Sequence, residues 1–217
     1  MPFDWERDFY AATDWDRGAY VGGDDMPGHL RTFVERVVDE VPESVGDVGC
    51  GPALVDFELA PEYPDTQFYG YDLAPSVVEA NTERAREEGI DNVHFAVDAL
   101  PDLAVEREFD LVYCMATLYF VDDAEAALTA LYDRVEPGGH LVFNYPNRYT
   151  QAWARNDISD QKREAFSLVA DGENLLTYEA IEDVLGTRPR SYWTAVDARD
   201  EDYARRSGPA VYVPNSR

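Results

Sequence analysis

Basic charge is what this chain has least of. Its 217 residues carry 18 Lys+Arg against 44 Asp+Glu, a formal net charge of −26, and Lys162 is the single lysine. A protein that grips nucleic acid neutralises phosphates with lysine and arginine. Here the arginines are scattered, with Lys162-Arg163 and Arg205-Arg206 the two adjacent basic pairs, so small molecules are expected as partners ahead of tRNA or DNA, with proteins between. Cysteine is scarce too. Cys50 and Cys114 match no metal-ligand spacing, so no metal is expected and both are read as free packing thiols. No apolar run approaches the ~20 residues that span a bilayer, and no charged-then-apolar leader opens the sequence. A cytoplasmic protein without membrane contact is the expectation; oligomeric state is left open.

Like-charge repulsion on this scale works against a compact state in dilute buffer. At molar salt the Debye length falls to about 3 Å, and distant charges barely interact. The acids are spread between apolar segments rather than gathered in a tail, and 45% hydrophobic with 13% aromatic residues is enough to bury a core. The pattern resembles proteins of salt-accumulating halophilic archaea.

What the chain does have is a glycine-rich turn in a telling place. Val45-Gly46-Asp47-Val48-Gly49-Cys50-Gly51-Pro52-Ala53 reads as a short apolar strand, an acid and close glycines ahead of a helical run. Glycines remove the Cβ atoms that would keep backbone amides from a ligand, and the helix start supplies unpaired N–H groups. A second strand, Gln67 to Tyr71, ends in Asp72, where a carboxylate can accept both hydroxyls of a ribose. A third, Val93 to Val97, ends in Asp98. Three successive strands delivering an acid at the carboxyl end point to ligand binding in an open parallel sheet.

On these residues the chain resembles the class I S-adenosylmethionine-dependent methyltransferases, with Asp47-Val48-Gly49-Cys50-Gly51 as the glycine-rich first motif. Phe109 to Cys114 looks like the fourth strand, and Glu136-Pro137-Gly138-Gly139-His140-Leu141-Val142-Phe143 like the turn into the fifth. The resemblance implies a Rossmann-like, doubly wound α/β fold: a mostly parallel seven-stranded sheet with an antiparallel edge hairpin and helices on both faces. It implies that S-adenosylmethionine is the cofactor, that Asp72 takes the ribose with Leu73 beside it, and that Asp98 with Ala99 holds the adenine edge. Asp47, Gly49 and Gly51 would face the methionine portion, with Cys114 close by. Pro52 stands where many members carry a small residue, a substitution tolerable at the first position of a helix. Leu54, where a nicotinamide Rossmann fingerprint needs its third glycine, argues against NAD.

Periodicity places the remaining elements. Helices are expected over Gly28–Val41, from Pro75 and Ser76 through Glu88, over Ala124–Arg134, near Asp160–Ala170, and over Tyr178–Leu185 with Thr177 as N-cap. Arg190–Val196 and Ala210–Val213 read as the last two strands. Residues 1–43 form a cap and helix leading into a core of 44–217, a single domain overall, and the irregular stretch 147–176 could cover a substrate. Aromatics crowd the first residues, and Tyr20 is the candidate for closing over a sulfonium; docking of the tail onto the body accounts for these rings equally well.

Methyl transfer from a sulfonium asks the protein for little beyond positioning and a dry pocket, so no catalytic residue is assigned. His29 is the one histidine near the pocket side. His94 and His140, at strand beginnings, are expected to pack or to meet solvent. Tyr119 and Tyr145 follow the fourth and fifth strands and are candidates for shaping the acceptor pocket. The expected activity is methyl transfer to a small molecule, with the acceptor atom open. The alternatives are a cofactor-binding module without turnover, and a protein or RNA methyltransferase.

Overall fold

A computed structural model describes residues 23–158, 163–206 and 208–216 of the chain. They form one seven-stranded sheet in the order β3-β2-β1-β4-β5-β7-β6. The strands are β1 (Ser44–Val48), β2 (Gln67–Asp72), β3 (Val93–Val97), β4 (Phe109–Cys114), β5 (Val135–Asn144), β6 (Arg190–Ser191) and β7 (Ala210–Pro214). β1 pairs in parallel with both β2 and β4, β2 with β3 and β4 with β5. β7 runs antiparallel to β5, and β6 pairs antiparallel to β7. The strand order turns around between β1 and β4, which opens a crevice at their carboxyl ends.

The helices pack on both faces. α1 (Met26–Val37) turns Met26, Leu30, Phe33 and Val34 inward, the i, i+4 spacing of an amphipathic helix. It stops short of the Val41 end read from periodicity: Val38 is already extended, and Val41, which Pro42 restricts to an extended backbone, is 58% exposed. α2 (Leu54–Leu59), α3 (Pro75–Glu88), α4 (Ala124–Tyr132) and α7 (Tyr178–Leu185) follow. α3 ends at Gly89, and α7 is capped by Thr177 and ends at Gly186, as the sequence predicts.

Three segments differ from expectation. Residues 136–139 do not precede β5 but bulge from it, as the register with β4 passes from Phe109↔Val135 to Leu111↔His140. The run Arg190–Val196 is a strand only at Arg190–Ser191; α8 (Tyr192–Ala195) follows, started by the Ser191 side chain accepting from the Thr194 amide. Tyr192 and Trp193 are adjacent and both buried, which a strand, alternating between faces, could not achieve at a sheet edge. The stretch 147–176 holds α5 (Arg148–Asn156), begun by a capping box between Asn147 and Thr150, and α6 (Ser167–Asp171). A last short helix, α9 (Asp202–Arg206), leads toward β7.

Ion pairs among the described residues include Arg31–Glu62, Arg36–Asp197, Arg84–Glu88 and Arg86–Glu83, all at the surface. Such exposed pairs contribute at most about 1 kcal/mol each. Among the described residues no helix is long and apolar enough to cross a membrane.

Candidate functional site

The turn after β1 is sewn to β2: the amides of Gly49 and Cys50 both donate to the Tyr71 carbonyl, at 2.8 and 3.0 Å. Gly49 has φ +77°, and a Cβ there would lie 2.0 Å from Thr117 Oγ1. Gly51 has φ +52°, but a Cβ there would meet nothing within 4 Å and would project into open space. One glycine is thus demanded by packing inside the protein, and the other has open space where its Cβ would stand. Pro52 sits inside a turn closed by the Ala53 amide on the Cys50 carbonyl. It does not open a helix as expected, because Ala53, left-handed at φ 51°, is the N-cap and α2 starts at Leu54.

Asp72 ends β2 and is buried. Its carboxylate accepts from the Gly51 amide at 3.0 Å and the Ala74 amide at 2.9 Å, so it rivets the glycine turn to the β2 end. Beside it, Leu73 is 47% exposed, and Val97, paired with Asp72 across the sheet, is 53% exposed. Two apolar side chains therefore stand open at the carboxyl ends of β2 and β3. Asp98 is more heavily engaged: it accepts from the amides of Ala99, Ala104 and Val105 at 2.9, 3.1 and 2.9 Å and so closes the loop 98–105. The Ala99 amide is directed at that carboxylate.

Asp47 lies beneath the turn, and Asp56, from the first turn of α2, is buried against it; both are at least 95% buried. Burial raises the pKa of each, Asp47 well above the carboxylate range and Asp56 to about 6, with the neighbouring acid adding to the rise at Asp47. Asp72 adds its field to Asp47 as well. The thiols of Cys50 and Cys114 are buried, and burial pushes both upward, so both are neutral packing groups.

On the β4–β5 side, Ala116 has φ 57°, held by its amide donating to Asn144 Oδ1 at 2.8 Å. Thr117 follows, packed on Gly49. Tyr119 and Tyr145 are both buried, and burial raises both phenols far above their ordinary range. The Tyr119 hydroxyl is buried without a hydrogen-bond partner. Asn174 ties the stretch 147–176 to this loop: its Nδ2 lies 3.0 Å from each of the carbonyls of Leu118, Tyr119 and Val121. Phe166 and Trp153 pack around Tyr119 and Phe120.

His29 is half-buried, with Nε2 2.5 Å from the Tyr203 hydroxyl and its ring edge-on to Trp193. Burial lowers its pKa, against the pull of Asp25 and Glu201. Trp193 Nε1 donates to the Gly208 carbonyl, and the Tyr145 amide donates to that of Pro209, so this cluster reaches the carboxyl end of β5. His94 is exposed and bonds to Gln67, while His140 packs edge-on to Phe33. Tyr20 and Lys162 lie outside the described residues.

Sequence reasoning missed Asp56, Asn81 and Asn174. Asn81 Nδ2 donates to the Gly51 carbonyl at 2.7 Å and holds the turn from α3. The available signal was a polar residue inside a buried stripe: Val77, Asn81 and Ala85 lie four apart on one face of α3. A cleft of about 380 Å³ lined by Ala60, Gln67, Ile90 and Asn92 lies at the opposite, amino-terminal ends of β2 and β3, away from all these groups.

Comparison with known proteins gives this arrangement a context. Residues 41–184 match the family model described as a methyltransferase domain. The trans-aconitate 2-methyltransferase of Methylobacterium radiotolerans is 29% identical over 139 residues, 64% of this chain and 52% of the relative. The ubiquinone biosynthesis O-methyltransferase of Pectobacterium atrosepticum is 34% identical over 129 residues, 58% of this chain and 52% of the relative. The chain thus spans about half the length of these relatives. Among solved structures, the N-methyltransferase NodS of Bradyrhizobium japonicum, in complex with S-adenosyl-L-homocysteine, has a similar fold at TM-score 0.63 and 14% identity, covering 98% of this chain and 96% of that one.

Proposed function

We propose that this chain, which belongs to the methyltransferase-domain family, transfers the methyl group of S-adenosylmethionine to a small-molecule acceptor. The observation that carries this reading is Gly51, whose missing Cβ leaves open space directly beside the Asp72 carboxylate. The donor fits the residues present. Asp72, at the end of β2 beside the turn, is read as the ribose acceptor, Leu73 and Val97 offer exposed apolar surface to a purine, and the Asp98-closed loop with Ala99 borders it. Asp47 lies under the turn where a cationic amino-acid end would settle, with Cys114 behind it. Bound there, the donor would supply a methyl group already activated on a sulfonium, so the protein's work is alignment and exclusion of water.

The acceptor end falls at Thr117, Tyr119 and Tyr145, under the cover formed by 147–176. Their neutral, aromatic character suits a small organic acceptor better than a polyanion, and relatives named for trans-aconitate and for ubiquinone biosynthesis support a small molecule. His29 borders this end, though its Nε2 is engaged by Tyr203. Residues 1–43 are read as a cap and a helix leading into the core, with Tyr20 the candidate for closing over the donor. The acidic surface is read as adaptation to high salt, as in halophilic archaea.

The test is thermal unfolding in molar KCl with S-adenosylmethionine, S-adenosylhomocysteine or NAD, followed by release of S-adenosylhomocysteine with a panel of acceptors. A ligand at a hundred times its Kd stabilises by about 2.7 kcal/mol. Stabilisation by the two adenosyl ligands alone supports the donor site; stabilisation by NAD alone overturns it. Donor binding without turnover on any acceptor would favour a binding module.

A further inference from the structure

Asp56 has no obvious reason to be where it is. It is 1% exposed, on a helix whose neighbours Val55, Phe57 and Leu59 form core, and neither carboxyl oxygen has a hydrogen-bond donor. A buried carboxylate without donors is among the least favourable groups a fold can hold. The group that faces it is the Asp47 carboxyl, and two carboxyls can hydrogen-bond only with a proton between them. The other titratable groups around Asp47 are Asp72 from β2, Cys50 in the turn and Cys114 from β4. The thiols are neutral and Asp72 is an acid, so none of these compensates a second negative charge.

We propose that Asp56 is a positioning residue acting through Asp47: the pair holds one shared proton, and the arrival of a cationic amino-acid end beside Asp47 expels that proton to solvent. This rests on the donor-site reading above and deepens it. Before binding, the proton keeps two buried acids from repelling each other. On binding, the ligand's ammonium takes over that role, Asp47 becomes fully ionised, and one proton leaves for each ammonium that enters. Loading of the site is thereby coupled to pH through a residue that never touches the ligand.

The experiment is calorimetric titration of S-adenosylhomocysteine at pH 7.5 in molar KCl, in buffers of different ionisation heat, which reads protons released per ligand bound. The wild-type protein is expected to release close to one. Asp56→Asn, which cannot share a proton in this way, is expected to release few or none. 5′-Methylthioadenosine, lacking the amino-acid end, is expected to release none in either protein. Between pH 6.5 and 8 the wild-type Kd tightens by up to about tenfold per unit, and the dependence flattens in Asp56→Asn. Equal proton release by wild type and variant, or equal release with the two ligands, overturns the proposal. Should Asp56→Asn fail to fold, Asp56→Ser and the wild-type comparison of the two ligands decide the matter. Failure of S-adenosylhomocysteine to bind while NAD binds overturns the donor site itself and this inference with it.

Discussion

Replacing Gly49 and Gly51 separately by alanine should damage the protein in two different ways, although the residues are two apart in one turn. Both have positive φ, and an L-residue in the left-handed region costs roughly 1–2 kcal/mol. At Gly49 the new methyl would also fall 2.0 Å from Thr117 Oγ1 and 2.7 Å from its Cγ2. Relief of that overlap costs a further ~1–3 kcal/mol, the usual penalty of overpacking. At about 2–4 °C per kcal/mol for a domain of this size, Gly49→Ala should lower the melting temperature by roughly 4–20 °C, and Gly51→Ala by roughly 2–8 °C. Ligand affinity should follow the opposite order in its cause. The Gly51 methyl enters space that no protein atom fills, so it should weaken S-adenosylhomocysteine binding at least about tenfold, or 1.4 kcal/mol, in protein that is still folded. Thr117→Ala, which removes the two nearest atoms, should recover part of the Gly49→Ala loss and none of the Gly51→Ala loss. Calorimetric titration and thermal melts in molar KCl read both quantities. A Gly51→Ala protein binding within twofold of wild type would mean that the open side of the turn is not where the donor sits.

Burial of Asp56 makes a stability prediction as well. Its folded pKa of about 6 stands above the ordinary 3.8, so the native state binds more protons than the unfolded one, and stability falls as pH rises through that window. Asp56→Asn should therefore melt higher than wild type above pH 6, by up to about 3 kcal/mol, with the difference shrinking toward pH 4; a constant difference across this range would contradict the assignment. Circular dichroism melts should show higher stability in molar KCl than in dilute buffer, since screening acts on a net charge of −26, and equal melting temperatures would discard salt adaptation. Asn174→Ala leaves three loop carbonyls without its amide, a loss of about 1–3 kcal/mol. Hydrogen exchange should quicken in 118–121 and in α5 while β1 and β2 keep their protection, and uniform acceleration would show that the clamp is not local.

The parallel half of the sheet was legible because its strands are short apolar runs, the first three ended by an acid or a glycine. β2, β3 and β4 sit where the residues Gln67, Val93 and Phe109 begin such runs. Legibility fades toward the antiparallel edge. There, Arg190–Val196 has the composition of a strand, and what turns it helical after Ser191 is tertiary: Tyr192 and Trp193 must both bury, against α1 and the turn into β7. No local pattern carries that demand. The stretch 147–176 was obscure for the reverse reason. Its helices are short, fixed by a capping box and by the reach of Asn174 across 53–56 residues of sequence.

The same distinction governs the site. Residues whose backbone conformation sets a turn, such as Gly49 and Gly51, or that end a strand, such as Asp72, announce themselves by type and position. Residues that hold those groups in place look like errors in an otherwise apolar pattern. Asp56 interrupts Val55-Asp56-Phe57, and Asn81 interrupts the Val77–Ala85 stripe. A buried polar side chain destabilises unless a specific partner receives it. A lone acid or amide on the inner face of a helix is therefore evidence of a partner even before that partner is known. For Asn81 the partner is the Gly51 carbonyl, which needs a donor because the turn has no regular ladder to supply one. For Asp56 it is a second acid, and an acid can be a partner only by sharing a proton. That requirement links the interrupted stripe of α2 to the acid at the end of β1.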